Sequence, residues 1–96
     1  MKLFNALKKK REVILELAAR HGASNVRVFG SAACGEESEN SDVDFLVDMQ
    51  EGGSLYDLIA LQQDLERILG RKADVLTPGS INRYLKDRIL GEARPL

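Results

Sequence analysis

Apolar residues near the start of the chain recur at the spacing of an α-helix. They are Leu3, Leu7, Ile14, Leu17 and Ala18. This spacing predicts one amphipathic helix over residues 2–20, and Gly22 is suited to end it in the left-handed conformation. A β-branched and aromatic run at residues 26–29 then predicts a first strand that ends at Gly30.

A second strand is predicted over residues 42–47, where apolar and polar positions alternate. The apolar residues of one face, which we assign to the core, are Val43, Phe45 and Val47. The opposite face carries Asp42 and Asp44, followed by Leu46. The strand therefore presents two carboxylates on one side while its other side is buried.

The rest of the chain predicts two more helices and one more strand. Leucine and isoleucine at helical spacing predict a helix that begins near Ser54 and ends at Gly70. Residues 73–77 predict a third strand, and Ser80 is suited to cap a last helix. The predicted order is α-β-β-α-β-α. This indicates an α/β (α+β) fold class, with a small mixed three-stranded sheet and flanking helices in a single domain over residues 1–96.

Composition and charge narrow the function classes. The chain of 96 residues has a formal net charge of −1 at pH 7. A protein that binds nucleic acid directly needs a basic surface, so we do not expect nucleic acid as a partner. No apolar run approaches the roughly 20 residues of a membrane span, and a single cysteine, Cys34, excludes an intramolecular disulfide. We therefore expect a cytoplasmic protein that does not contact a membrane.

Two aspartates stand one residue apart where the second strand begins. Side chains at positions i and i+2 of a strand share a face, so we expect the carboxylates of Asp42 and Asp44 in one small volume. Two ionised carboxylates that close repel each other unless a cation lies between them. Asp74 lies early in the third strand and would join them if that strand pairs beside the second. Three carboxylates around one site are suited to two Mg²⁺ ions and a reacting phosphate.

The first strand ends in a glycine–serine pair, Gly30 and Ser31. A glycine at a strand end lets the backbone approach a ligand closely, and the following N–H groups with the Ser31 hydroxyl are suited to bind phosphate. The pair is not a Walker loop, because no G-K-[ST] follows. It is not a Rossmann fingerprint either, because no G-x-G-x-x-G is present.

Three stretches of the chain resemble a known family. This chain resembles the nucleotidyltransferase superfamily, which includes DNA polymerase beta, in the run F-G-S-A-A-C-G-E-E-S-E-N-S-D-V-D-F-L-V. More narrowly, the chain resembles the minimal nucleotidyltransferases (MNT), which are antitoxin partners of HEPN-domain toxins. Also similar to these proteins are L-Y-D-L-I-A-L-Q-Q-D-L-E-R-I-L-G-R-K-A-D-V-L-T and Y-L-K-D-R-I-L-G-E-A, so the resemblance covers nearly the whole chain.

The resemblance implies a role for each matching residue. Asp42 and Asp44 would hold two Mg²⁺ ions and the triphosphate of ATP. Asp74 would complete the site of the catalytic metal and help to deprotonate an attacking hydroxyl. Gly30 and Ser31 would contact the phosphates of the nucleotide. The implied function is that of an adenylyltransferase antitoxin, which transfers AMP from ATP to a tyrosine of a cognate HEPN RNase toxin.

One position departs from the family pattern. Many relatives carry arginine in G-S-x-A-R-G, where it can pair bidentately with phosphate, and this chain has Cys34 at that place. Two functions therefore stay open: an adenylyltransferase antitoxin, and an antitoxin that neutralises its toxin by binding alone. Transfer of a nucleotide to a small molecule and nucleic-acid polymerisation are disfavoured, because relatives with those activities add a domain that binds the acceptor.

Overall fold

The structure is a computed structural model that describes residues 2–30, 42–53 and 55–96. In chain order, its elements are α1 (Lys2–Lys9), α2 (Arg11–Arg20), β1 (Ala23–Phe29), β2 (Val43–Met49), α3 (Leu55–Leu69), β3 (Ala73–Leu76), a 3₁₀ turn (Pro78–Ser80), α4 (Arg83–Glu92) and β4 (Arg94–Pro95). The predicted cap of α3, Ser54, lies outside the described residues, as do Ser31 and Cys34. Among the helices in these ranges, none has both the length and the apolar character needed to cross a membrane.

The strands form one four-stranded mixed sheet in the order β3-β2-β1-β4. β1 runs antiparallel to β2 and to β4, whereas β2 and β3 are parallel and are connected through α3. The predicted mixed sheet with flanking helices is confirmed, but the predicted number of three strands is wrong. The additional strand, β4, has two residues, so no alternation marks it in the sequence. Pro95 is tolerated there because β4 is an edge strand.

The core lies on one face of the sheet, where α2 and α3 pack. Val43, Phe45 and Val47 of β2 are at most 1% exposed, as their alternation predicted. The helices contribute apolar residues at helical spacing, namely Ile14 and Ala18 from α2, and Leu61 and Leu65 from α3. Burial of each large side chain contributes about 2 kcal/mol. The core therefore holds β2, a central strand, firmly in place.

The first helical region is divided into two helices. The prediction of one helix over residues 2–20 is wrong at Lys10, whose φ of −100° and ψ of 13° interrupt it. Apolar spacing does not reveal the break, because Leu7 and Ile14 on either side of it are both fully buried. The Lys10 ammonium donates a hydrogen bond to the carbonyl oxygen of Ile68 at 2.8 Å, close to the end of α3, where the helix dipole favours a cation.

The last helix is capped by a different residue from the one predicted. Ser80 lies in the 3₁₀ turn, and the cap is Asn82, whose side-chain oxygen accepts a hydrogen bond from the Tyr84 N–H at 2.9 Å. Serine and asparagine are both good caps, so their identities alone do not decide where the helix begins. α4 itself contains no buried residue.

β1 contains a β-bulge. Its pairing with β2 shifts by one residue between Ser24, which is opposite Asp48, and Arg27, which is opposite Leu46. Within this interval Asn25 has a φ of +51°, and no other non-glycine residue in the described part of the chain has a positive φ. The extra residue in β1 breaks the strict alternation of buried and exposed positions in that strand.

Candidate active site

Two of the predicted site carboxylates lie side by side on adjacent strands. In the parallel pairing of β2 and β3, Asp44 is opposite Asp74, and each is the second residue of its strand. Adjacent strands lie about 4.8 Å apart and paired residues share a face, so the two side chains project from the same face of the sheet. Asp42 directly precedes β2 and is exposed. The structure thus brings all three aspartates to the end of the sheet where β2 and β3 begin.

The three carboxylates act on one another electrostatically. The pKa of Asp44 is raised from 3.8 to about 6, first because the side chain is partly buried, and then because the charges of Asp74 and Asp42 lie close to it. The ionised form of Asp44 is therefore less stable in the folded protein than the same carboxylate in water. A cation bound next to Asp44 would offset that destabilisation.

The glycine that follows β1 lies against Asp44. Phe29 is opposite Asp44 in the antiparallel pairing, and Gly30 continues with a φ of +73°. A Cβ added to Gly30 would be 2.5 Å from Oδ2 of Asp44, which is too close for real atoms. The sequence predicted Gly30 only as a phosphate contact; the structure adds that glycine leaves room for the Asp44 carboxylate. The other predicted phosphate contact, Ser31, lies outside the described residues.

The face that carries the aspartates is partly apolar. Leu46, two residues after Asp44, is fully buried although it lies outside the main core cluster. Phe29, opposite Asp44, is 8% exposed and also lies outside that cluster. Apolar neighbours restrict the access of water to Asp44, which accounts for the part of its raised pKa that comes from burial. Alternation placed Leu46 on this face, but it did not predict that Leu46 is buried.

Comparison with protein-family models gives a match to the nucleotidyltransferase domain over residues 7–96. The chain belongs to the nucleotidyltransferase domain family. This confirms the family that the sequence signature predicted, and with it the prediction of a nucleotidyltransferase enzyme. The match includes both strands that carry the paired aspartates.

Two relatives of this nucleotidyltransferase come from Methanocaldococcus jannaschii and Thermococcus cleftensis. It is 47% identical over 89 residues to a protein of Methanocaldococcus jannaschii that is provisionally named a protein adenylyltransferase, and the alignment covers 93% of this chain and 92% of the relative. It is 40% identical over 77 residues to the protein adenylyltransferase MntA of Thermococcus cleftensis, with 80% of this chain and 78% of the relative covered.

Solved structures share the fold of this nucleotidyltransferase. A protein provisionally described as a minimal nucleotidyltransferase superposes with a TM-score of 0.86 at 44% identity, covering 97% of this chain and 95% of that chain. A chain of a toxin–antitoxin complex crystallised with AMP-PNP superposes with a TM-score of 0.75 at 21% identity, covering 88% and 69%. At that identity the likeness concerns the fold alone. The predicted minimal nucleotidyltransferase fold is confirmed.

The carboxylates of this nucleotidyltransferase fit Mg²⁺ that is bound together with a nucleotide. Within the described ranges, no three side chains of His, Cys, Asp or Glu lie close enough to hold a metal ion by themselves. Proteins that bind nucleotides usually hold Mg²⁺ through one or two carboxylates, and phosphate oxygens and water supply the remaining ligands. The adjacent pair Asp44 and Asp74, with Asp42 nearby, provides oxygen donors of that kind and number.

Proposed function

We propose that this protein is an Mg²⁺-dependent adenylyltransferase that acts as an antitoxin, transferring AMP from ATP to a tyrosine hydroxyl of a cognate HEPN RNase toxin. The observation that carries the proposal is the pairing of Asp44 with Asp74 across β2 and β3, with Asp42 beside them. A relative 40% identical to the chain is named a protein adenylyltransferase. A chain of similar fold occurs in a toxin–antitoxin complex with AMP-PNP.

Transfer of AMP is a displacement at the α-phosphorus of ATP. The tyrosine oxygen bonds to this phosphorus, the bond from the phosphorus to the bridging oxygen breaks, and pyrophosphate leaves. Bound Mg²⁺ supplies stabilisation of the negative charge on the phosphate oxygens. In the proposed mechanism Asp42 and Asp44 would hold the metal ions. Asp74 would complete the ligand set and would help to take the proton of the attacking hydroxyl.

The turn after β1 is proposed to bind the triphosphate. Phe29 is opposite Asp44, so Gly30 lies at the same end of the sheet as the carboxylates. Backbone N–H groups beyond Gly30 and the hydroxyl of Ser31 would donate hydrogen bonds to phosphate oxygens. Fixed placement of β2 in the core supports the transfer, because the reaction requires the phosphate and its ligands at a constant distance.

The proposal is tested by labelling the toxin. The protein is incubated with Mg²⁺, ATP labelled on its α-phosphate, and the product of the neighbouring gene as the candidate toxin. We expect label on the toxin and, by mass spectrometry, AMP on a tyrosine. Asp44→Asn and Asp74→Asn should each lower the rate at least about a hundredfold, since each removes a carboxylate that acts on the transferred charge.

An exposed ion pair far from the site supplies the control for this assay. Arg20→Ala removes a surface contact with Glu16. The side chains of Arg20 and Glu16 are 66% and 64% exposed, so the variant should label the toxin as fast as the wild type does. Equal labelling by folded Asp44→Asn and by the wild type would contradict the proposed enzyme.

A second function, neutralisation by binding alone, is favoured by the surface of α4. Tyr84 and Leu85 are 82% and 48% exposed, and the helix has no buried residue, so it presents apolar surface of the kind that protein partners cover. If contact alone neutralises the toxin, cells that express the toxin with Asp44→Asn should survive as well as cells with the wild type. Death of the cells with Asp44→Asn, at equal levels of folded protein, would favour the transferase.

A further inference from the structure

The β-bulge decides which residue of β1 lies opposite the active-site end of β2. Beyond the bulge, Phe29 is opposite Asp44. If the pairing continued from the start of β1 without the extra residue, Val28 would take that place, and Gly30 would move by one residue along β2. The bulge thus sets the position of Gly30 relative to the catalytic end of the sheet.

The carboxylate of Asp48 in β2 contacts two residues of β1 at the bulge. Oδ2 of Asp48 accepts a hydrogen bond from Nδ2 of Asn25 at 3.0 Å, and Oδ1 of Asp48 is 2.8 Å from Nη2 of Arg27. Nε of Arg27 donates a further bond to the backbone oxygen of Asn25 at 3.1 Å. The side chains of Arg27 and Asp48 are 15% and 47% exposed, so water screens this ion pair in part. The three interactions favour the present position of the bulge in β1.

Asn25 is chemically suited to the backbone of the bulge. Its φ of +51° lies in the left-handed region, which asparagine enters more readily than other residues that carry a Cβ. The same side chain also supplies the amide that bonds to Asp48. Backbone conformation and side-chain contact therefore favour the bulge together.

The register of β1 affects the active site through the position of Gly30. A Cβ at Gly30 would be 2.5 Å from Oδ2 of Asp44, so the end of β1 lies directly against this carboxylate. If β1 moved by one residue, Phe29 would take the place of Gly30, and its Cβ would be too close to Oδ2 of Asp44 in the present position. Correct placement of the carboxylate thus depends on the bulge.

We propose that Asn25, Arg27 and Asp48 are positioning residues for the active site. They hold the bulge that places Gly30 against Asp44, although none of them contacts the nucleotide in the proposed mechanism. The inference rests on the proposed function, because it concerns the geometry with which the carboxylates hold Mg²⁺ and ATP.

Two substitutions at Asn25 form a matched pair for the test. Asn25→Ala and Asn25→Gly both remove the amide that bonds to Asp48, but glycine adopts a φ of +51° freely, whereas alanine adopts it under strain. We expect Asn25→Ala to lower kcat for AMP transfer at least about tenfold. It should also weaken binding of Mg²⁺ with α,β-methylene-ATP, measured by calorimetry, about fivefold. Asn25→Gly should lose less than half as much in either measurement.

Controls separate positioning from a general loss of stability. Ile14→Val loosens the core in α2, so it should lower Tm while leaving kcat and nucleotide affinity unchanged. If Asn25→Ala does not fold, Asp48→Ala removes the contacts on both sides of the bulge without straining the backbone, and it should weaken nucleotide binding in the same way. Wild-type nucleotide affinity in the folded variant would overturn the inference. If the wild-type protein binds the nucleotide but leaves the toxin unlabelled, the proposed acceptor is wrong. Calorimetry of nucleotide binding by the variants and the wild type would then still test whether the bulge positions Asp44.

Discussion

Replacement of Gly30 by alanine is expected to separate the stability of the fold from the placement of Asp44. The new Cβ would be 2.5 Å from Oδ2 of Asp44, so the carboxylate has to move away by at least about 0.9 Å to reach an ordinary contact. A carboxylate is the free end of its side chain, and it can make this movement with little strain elsewhere. In doing so, however, it leaves the position in which it is proposed to hold Mg²⁺.

The two effects differ in size. Stability falls mainly because an L-residue at a φ of +73° costs about 1–2 kcal/mol, and each kcal/mol lowers Tm by about 4–8 °C in a domain of this size. Activity falls further, because displacement of a reacting group or its ligand by a fraction of an ångström to 1 Å lowers kcat by up to about a hundredfold. We therefore expect a folded protein whose Tm falls by about 4–16 °C and whose rate of AMP transfer falls by up to about a hundredfold.

Gly70→Ala provides a matched control for the backbone effect. Gly70 has a φ of +69°, close to that of Gly30, but a Cβ added there meets no atom within 4 Å. Thermal unfolding should show similar losses of Tm for the two variants, while toxin labelling should fall in Gly30→Ala alone. Wild-type labelling by Gly30→Ala would refute the reasoning, and equal losses of labelling in both variants would assign the effect to backbone strain rather than to Asp44.

Three further predictions concern charge and packing. The raised pKa of Asp44 means that the folded state keeps a proton that the unfolded chain releases, so the contribution of Asp44 to wild-type stability should fall as pH rises from about 4 to about 6. Without Mg²⁺, Asp44→Asn should therefore have a Tm about 5 °C above wild type at pH 7 and equal to it below about pH 4, whereas a lower Tm at pH 7 would contradict the raised pKa. Leu46→Ala should lower the free energy of unfolding by about 2–4 kcal/mol in denaturant titrations, because Leu46 is fully buried; a loss below about 1 kcal/mol would show that its site collapses. His21→Ala removes a 2.8 Å contact between Nε2 and Oδ2 of Asp64 that joins the end of α2 to α3, and should cost about 1 kcal/mol. In the His21→Ala background, Asp64→Ala should lower the free energy of unfolding by less than it does in the wild type. If the two losses add fully, the two side chains do not stabilise each other.

Local sequence was sufficient to predict the order of most elements and the positions of the carboxylates. Alternation separates Phe45, which is buried in the core, from Asp44 on the other face, because side chains in a strand have a period of two. The same rule placed Asp74 early in its own strand. The strand pairing that makes Asp44 and Asp74 neighbours does not follow from local sequence, since it joins residues that are distant in the chain.

The features that the sequence did not predict depend on distant contacts. The break at Lys10 accompanies a bond to α3, and β4 is a strand only because it pairs with the edge of β1. The bulge at Asn25 depends on the position of Asp48, more than twenty residues later in the chain. Asparagine in the run A-S-N-V-R-V-F was the one local sign of the bulge, because asparagine tolerates positive φ.

The parallel pairing of β2 and β3 has a consequence for when activity appears during synthesis and folding. Asp44 and Asp74 lie about thirty residues apart, and the whole of α3 has to cross over the sheet before their strands can meet. Contacts between such distant segments form late, because the entropy of closing the intervening chain is lost before they contribute. A nascent chain that ends within α3 carries Asp42 and Asp44 but lacks the neighbouring strand. On the proposed mechanism, protection by AMP transfer therefore begins only after β3 has joined the sheet.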